Sequence, residues 1–232
     1  MHHAQIAILY KLRHSTSATF SELMRETELS SDVFKFHIHK LTKLGYLQKT
    51  AEGAYILTLQ GKEFANNLDH EKRSTQKQPK LSILLVVPRK NDLGETEYLV
   101  QKRKRHPFYG FWGCISGPVQ WGEDAEDTAR HEFTKQTGLN ASFSIESFYR
   151  KRDYSEETGD ILEDKLFIVL KAHDMHGGFT PSYWTGGENA WMTQAELRQQ
   201  ARYFASSDEA INMVSSGKVY ESEQARYQPS DY

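Results

Sequence analysis

The chain has 232 residues, with 29 Lys and Arg against 31 Asp and Glu and 38% hydrophobic residues. That is the size of one or two globular domains and excludes a disordered or collagen-like chain. The longest apolar run, 83–87, is far too short to span a bilayer, and the N-terminus lacks the apolar stretch of a secretory signal. The single cysteine, Cys114, excludes an intrachain disulfide and points to a reducing, cytoplasmic setting with no membrane partner.

Charge is uneven along the chain. Residues 1–80 hold 12 Lys and Arg against 8 Asp and Glu, leaving 17 against 23 for the rest, so the N-terminal third is where duplex DNA would bind. Residues 4–13 predict a short helix with Ile6, Ile8, Leu9 and Leu12 turned to a core. Thr19-Phe20-Ser21 opens a second, with Phe20, Leu23 and Met24 buried. Ser30 or Ser31 offers an N-cap for a third that runs to about Leu44, with Gly45 in the C-cap position. On this third helix Phe34, Ile38, Leu41 and Leu44 form one apolar stripe, and Asp32, Lys35, Phe36, His39, Lys40 and Lys43 face outward. His37 reads as a structural residue at a helix interface. Residues 46–50 and 54–58 flank a tight turn and predict a hairpin, which carries Lys49, and 59–68 predict a following helix.

The segment VFKFHIHKLTKLGYL, 33–47, resembles the recognition helix and first wing strand of ArsR- and MarR-like regulators. Residues 1–69 are therefore expected to form a winged helix-turn-helix. Lys35, Lys40, Lys43 and Lys49 would meet phosphates, His39 or Lys35 would reach base edges, and Phe36 would lie on the same DNA-facing surface. Winged helices also serve as dimerisation or docking modules. The run HEKRSTQKQPK, 70–80, is polar and unpatterned, as a linker would be.

Beyond it, 81–87 reads as a buried strand, 91–96 as a turn and 97–105 as a basic partner strand. A helix is predicted over 124–137, strands over 142–152 and 165–172, and a late strand and helix over 190–192 and 193–200. The stretch GPVQWGEDAEDTARHEFTKQTGL, 117–139, carries Gly117, Glu123, Glu132, Gly138 and Leu139 at the spacing of a Nudix box: Gly, five residues, Glu, seven residues, then Arg-Glu-aliphatic-x-Glu-Glu-x-Gly-aliphatic. His131 stands in place of the Arg, and Lys135 and Gln136 in place of the Glu-Glu pair. Residues 81–232 thus resemble a Nudix domain with a C-terminal tail. The fold class expected is α+β, a winged helix-turn-helix followed by a Nudix α/β/α sandwich with a mixed sheet.

Positions 132, 135 and 136 share one helical face. Three carboxylates there would hold a hard divalent cation, and this chain offers one. The resemblance implies a domain that senses a nucleotide-like diphosphate without hydrolysing it, with no cofactor and with Arg103, Arg105, Lys135, Gln136, Arg150 and Trp121 as ligand contacts. Arg152 is a further diphosphate candidate, and Phe108, Tyr109, Phe111 and Trp112 offer rings, with Phe111 and Trp112 assigned to the core. Joined to a DNA-binding domain, such a sensor makes a homodimeric transcriptional regulator. The alternative is a Nudix hydrolase of nucleoside diphosphate derivatives, with Glu132 and Glu123 catalytic and Mg²⁺ or Mn²⁺ held at Glu132. Glu126, Asp127 and a loop carrying Glu163-Asp164 would then rebuild the metal site.

Overall fold

The computed structural model describes residues 1–27, 29–69 and 74–232, and the chain divides into two units, Met1–Lys77 and Gln78–Tyr232. In the first, His2 caps α1 (His3–Arg13), its Nδ1 accepting from the Ala4 N–H and its own N–H donating to Gln5 Oε1. Thr19 and Glu22 form a reciprocal capping box on α2 (Phe20–Arg25), which satisfies N–H groups that a helix start leaves unpaired. α3 (Ser31–Lys43) starts after Ser30, and the chain leaves it through Gly45 at φ +77°. β1 (Leu47–Lys49) and β2 (Tyr55–Leu57) pair antiparallel, with Leu47 opposite Leu57. Thr58 then caps α4 (Leu59–Asn66). Ile8, Leu9, Leu23, Phe34, Leu41 and Leu47 are fully buried in the unit's core, each contributing about 1.5–3 kcal/mol from the apolar surface it removes from water.

Several details differ from the sequence reading. Leu44 is 48% exposed because α3 stops at Lys43, so the residue expected to end the apolar stripe is its C-cap. Phe20 and Met24 are partly buried. α4 ends at Asn66, and Leu68 enters β3 (Leu68–Asp69), which pairs with β4 (Ser74–Thr75). Of the stretch read as a linker, 70–73 lie outside the described residues, 74–75 are paired, and Lys80 begins a strand of the second unit.

The second unit runs β5 (Lys80–Val86), β6 (Pro88–Lys90), β7 (Thr96–Arg103), β8 (Trp112–Pro118), α5 (Ala125–Thr137), β9 (Asn140–Ser155), β10 (Ile161–His176), β11 (Gly187–Thr193), α6 (Gln194–Arg198), α7 (Ala205–Ser216) and β12 (Tyr220–Tyr227). Its strands form one mixed sheet in the order β11-β7-β8-β5-β10-β9-β12, with β6 alongside β7. β5 is central, parallel to β10 and antiparallel to β8. Successive side chains of a strand point to opposite faces, so Ile83 and Leu85 pack with Ala129 and Phe133 of α5, while Leu84 and Val86 pack with Ala210 and Ile211 of α7. This double burial explains the unbroken apolar run of β5. The sheet thus lies between α5 and α7 in a mixed α+β fold.

Trp112-Gly113 opens a strand, β8, that the sequence reading left out. β9 and β10 are each 16 residues long, which places Glu163 and Asp164 within a strand and not on the loop expected for them. The segment read as a tail provides β12, parallel to β9 at the sheet edge.

Candidate functional site

The box helix, α5, lies between the N-cap Asp124 and the C-cap Gly138, whose φ of +75° is the left-handed conformation that a glycine adopts without strain. Gly117, at the end of β8, lies against it. A Cβ there would come within 3.0–3.2 Å of the Glu132 side chain, so the glycine is what lets the carboxylate reach the strand. Glu132 is 7% exposed. Its Oε1 accepts from Lys135 Nζ at 2.8 Å, and its Oε2 accepts from Gln136 Nε2 at 2.8 Å. Gln136 Nε2 also donates to the Ser116 carbonyl at 3.2 Å.

These contacts decide how well the box suits a divalent cation. The two groups that replace family carboxylates occupy both oxygens of the one that remains. A magnesium ion would have to displace an ammonium and a buried amide to find a single monodentate ligand. The residues present do not fit it. Glu123 accepts from Thr128 Oγ1 at 3.1 Å and lies 3.2 Å from His131 Nδ1, and Asp127 pairs with Arg130. Glu163 binds Lys80 at 2.8 Å, and Asp164 takes two bonds from Arg150. Among the described residues no three metal-ligating side chains converge.

Next to the box lies a cavity of about 50 Å³. Ser116 and Gln101 line it, and both are tied to the box helix: Ser116 through Gln136, and Gln101 through Asn189, whose amide donates to the Gln136 carbonyl. Four cations reach it, Arg103, Arg105, Lys151 and Lys165, along with the carboxylate of Asp153. Lys151 and Asp153 form a buried ion pair. Burial pushes both toward their neutral forms, Lys151 down and Asp153 up, against their mutual attraction. Lys165 is paired with Glu163 at 3.1 Å. Arg103 and Arg105 have no carboxylate at ion-pair distance among the described residues. Burial, and then Arg105 beside it, lower Arg103 to about 10, still fully charged at neutral pH. Its Nε donates to the Pro107 carbonyl at 3.0 Å, and Arg105 stacks at 4.9 Å on Trp184. Two guanidinium groups without an ion-pair partner at one cavity have the chemistry that suits an anion. Cys114, on its wall, is pushed up to about 12 by burial and is therefore an unreactive thiol.

The structure therefore brings Arg103 and Arg105 together, with Gln136 bonded to the cavity wall. Lys135 is turned onto Glu132. Arg150 is committed to Asp164, Arg152 donates to Ser222, and Trp121 is 98% exposed and lines no part of the cavity. Of the aromatics before the box, Phe108 and Phe111 are buried, Trp112 is half-buried and Tyr109 is exposed. Lys151, Asp153 and Lys165 were missed. The signal was available in the two-residue period of β9: Tyr149, Lys151 and Asp153 share the buried face, and Arg150 and Arg152 take the other.

A NUDIX domain model matches residues 79–213. Among solved structures, the MutT protein of Bacillus halodurans is 17% identical, with 66% of this chain and 93% of that one aligned at a TM-score of 0.51. The NUDIX domain of Shewanella oneidensis NrtR, crystallised with ADP ribose, is 16% identical over 70% of this chain and 97% of its own, with a TM-score of 0.49. No curated protein matches the sequence. At these identities the structural likeness is one of fold.

Proposed function

The chain belongs to the Nudix family, and from that premise we propose a DNA-binding transcriptional regulator whose Nudix domain binds a nucleotide-like diphosphate without hydrolysing it. The observation that carries this reading is Glu132, whose two oxygens are held by Lys135 and Gln136 in place of a metal ion. Arg103 and Arg105 supply charge for a diphosphate that needs no metal to neutralise it. The N-terminal unit is read as a winged helix-turn-helix, with α3 as recognition helix and the β1–β2 hairpin as wing. In support, Lys35, Phe36, His39, Lys40, Lys43 and Lys49 are all exposed. The functional unit under this reading is a homodimer on duplex DNA.

Calorimetric titration with Mg²⁺ and Mn²⁺ tests the core of the proposal. The wild-type chain should show no tight metal site and no turnover of nucleoside diphosphate derivatives. The triple variant His131→Arg, Lys135→Glu, Gln136→Glu should gain metal affinity, because it restores carboxylates at i+3 and i+4 from Glu132. Robust turnover by the unmodified chain, abolished by Glu132→Gln, would instead establish a hydrolase.

A further inference from the structure

Fifty cubic ångströms holds a few water molecules or a phosphate-sized anion, whereas pockets for nucleotide-sized ligands begin at roughly 300 Å³. The cavity is therefore too small for the ligand class proposed for it, and two of the residues on its wall are held by the C-terminal segment. Tyr227, at the end of β12, accepts from Lys151 Nζ at 2.9 Å, and its ring meets Phe108 edge-on at 4.7 Å. The chain then turns back. Asp231 lies 3.6 Å from Arg202, the Tyr232 ring meets Phe108 at 5.4 Å, and the Tyr232 hydroxyl donates to Glu163 Oε1 at 3.1 Å. Phe108 and Lys151 both line the cavity.

Phe108 itself is held in an unfavourable backbone conformation, with φ +64° in a residue 2% exposed. A bulky side chain keeps a left-handed conformation where its surroundings impose it. Here the surroundings are Phe111 and Phe204 on one side and Tyr227 and Tyr232 on the other. Withdrawing Tyr232 while β12 keeps Tyr227 in place removes one ring of that cage and lets the Phe108 loop relax outward.

We infer that residues 228–232 form a strap that holds the Phe108 wall of the cationic cavity in place and so keeps it too small for a nucleotide, and that a nucleoside diphosphate enters by displacing it. This rests on the reading of the cavity as the ligand site. Binding then shifts a closed, strapped state toward an open one, and the apparent affinity is reduced by the fraction of time the strap is open.

The test uses the full chain, two probes and variants at Tyr232, which is 37% exposed and outside the core. Inorganic phosphate, small enough for the closed cavity, should bind the wild type and Tyr232→Ala equally. ADP should bind Tyr232→Ala about tenfold more tightly than the wild type, the gain expected if the strap is open roughly a tenth of the time. Tyr232→Phe, which keeps the ring on Phe108 and loses the bond to Glu163, should fall between them. Arg103→Gln in the Tyr232→Ala background should abolish binding of both probes. If ADP binds wild type and Tyr232→Ala with equal affinity and Arg103→Gln still abolishes it, the strap is overturned and the cavity stands. If neither probe binds any of the chains, or if Arg103→Gln leaves binding intact, the cavity is not the ligand site and the strap falls with it.

Discussion

At position 37 an imidazole is buried in the N-terminal unit, 7% exposed, stacked at 4.3 Å on the His2 ring and, among the described residues, with no hydrogen bond to its Nδ1. Burial is the first reason that its pKa is lowered, with His2, Lys40 and His3 adding like charge. The unfolded chain protonates this group near its ordinary value of about 6.5, and the folded chain does so at lower pH. Between those values the unfolded state binds more protons, so stability rises with pH through that window and is lost as pH falls below about 6.5. The chain should melt at a lower temperature at pH 5 than at pH 7, and His37→Phe should narrow the difference. Identical pH dependence in the two chains, followed by circular dichroism, would remove His37 from the account. Residue by residue, the spacing of the box showed which side chains share a face with Glu132. The i, i+3 spacing allows Lys135 to pair with Glu132, but it did not show that Gln136 bends back onto the same carboxylate, because that rotamer is set by the Ser116 carbonyl on another strand.

At the level of elements, the helices other than α7 were legible, and their caps explain why; α7 follows Phe204, which makes no side-chain capping bond, and was not read. Thr19 with Glu22, Thr58, Thr193 with Glu196, and Gly138 mark helix ends by local chemistry that needs no tertiary context. β8 carries two glycines in seven residues and draws its strand character from β5 and β7 on either side, so its own sequence is a weak signal. β12 is polar along most of its length and is a strand because β9 offers it an edge. The element with the most direct consequence is α3. Phe34, His37, Ile38 and Leu41 turn inward, and Lys35, Lys40 and Lys43 are left on the exposed side. Each lysine that neutralises a DNA phosphate contributes about 0.9 to the slope of log affinity against log salt. Replacing all three by Ala should therefore lower that slope by roughly 3 in an anisotropy titration of duplex DNA. A slope equal to the wild type's would show that this face does not touch the backbone.

For the whole molecule, the two units have separate cores, one built on α1 and α3 and the other on the central sheet. The division lies at 77/78. A regulator of the proposed kind reads two half-sites about one DNA turn apart, which one recognition helix cannot span. Light scattering at micromolar concentration should return twice the 26.8 kDa mass of the chain. The monomer mass alone, with and without DNA, would refute the dimer.

The position of β12 also bears on how the protein is made. It pairs with β9, a strand encoded some seventy residues earlier, and it is the last strand of this sequence to leave the ribosome. Domains assemble as they emerge. For the interval between synthesis of β10 and synthesis of residues 220–227, the outer edge of β9 carries unpaired backbone N–H and C=O groups, the kind of edge that recruits foreign strands. Over the same interval Phe108 and Lys151 have no tyrosines against them. That interval exposes the nascent chain to aggregation, and under the proposed reading a diphosphate compound bound at the cationic cavity during translation would stabilise the Nudix domain before β12 is in place.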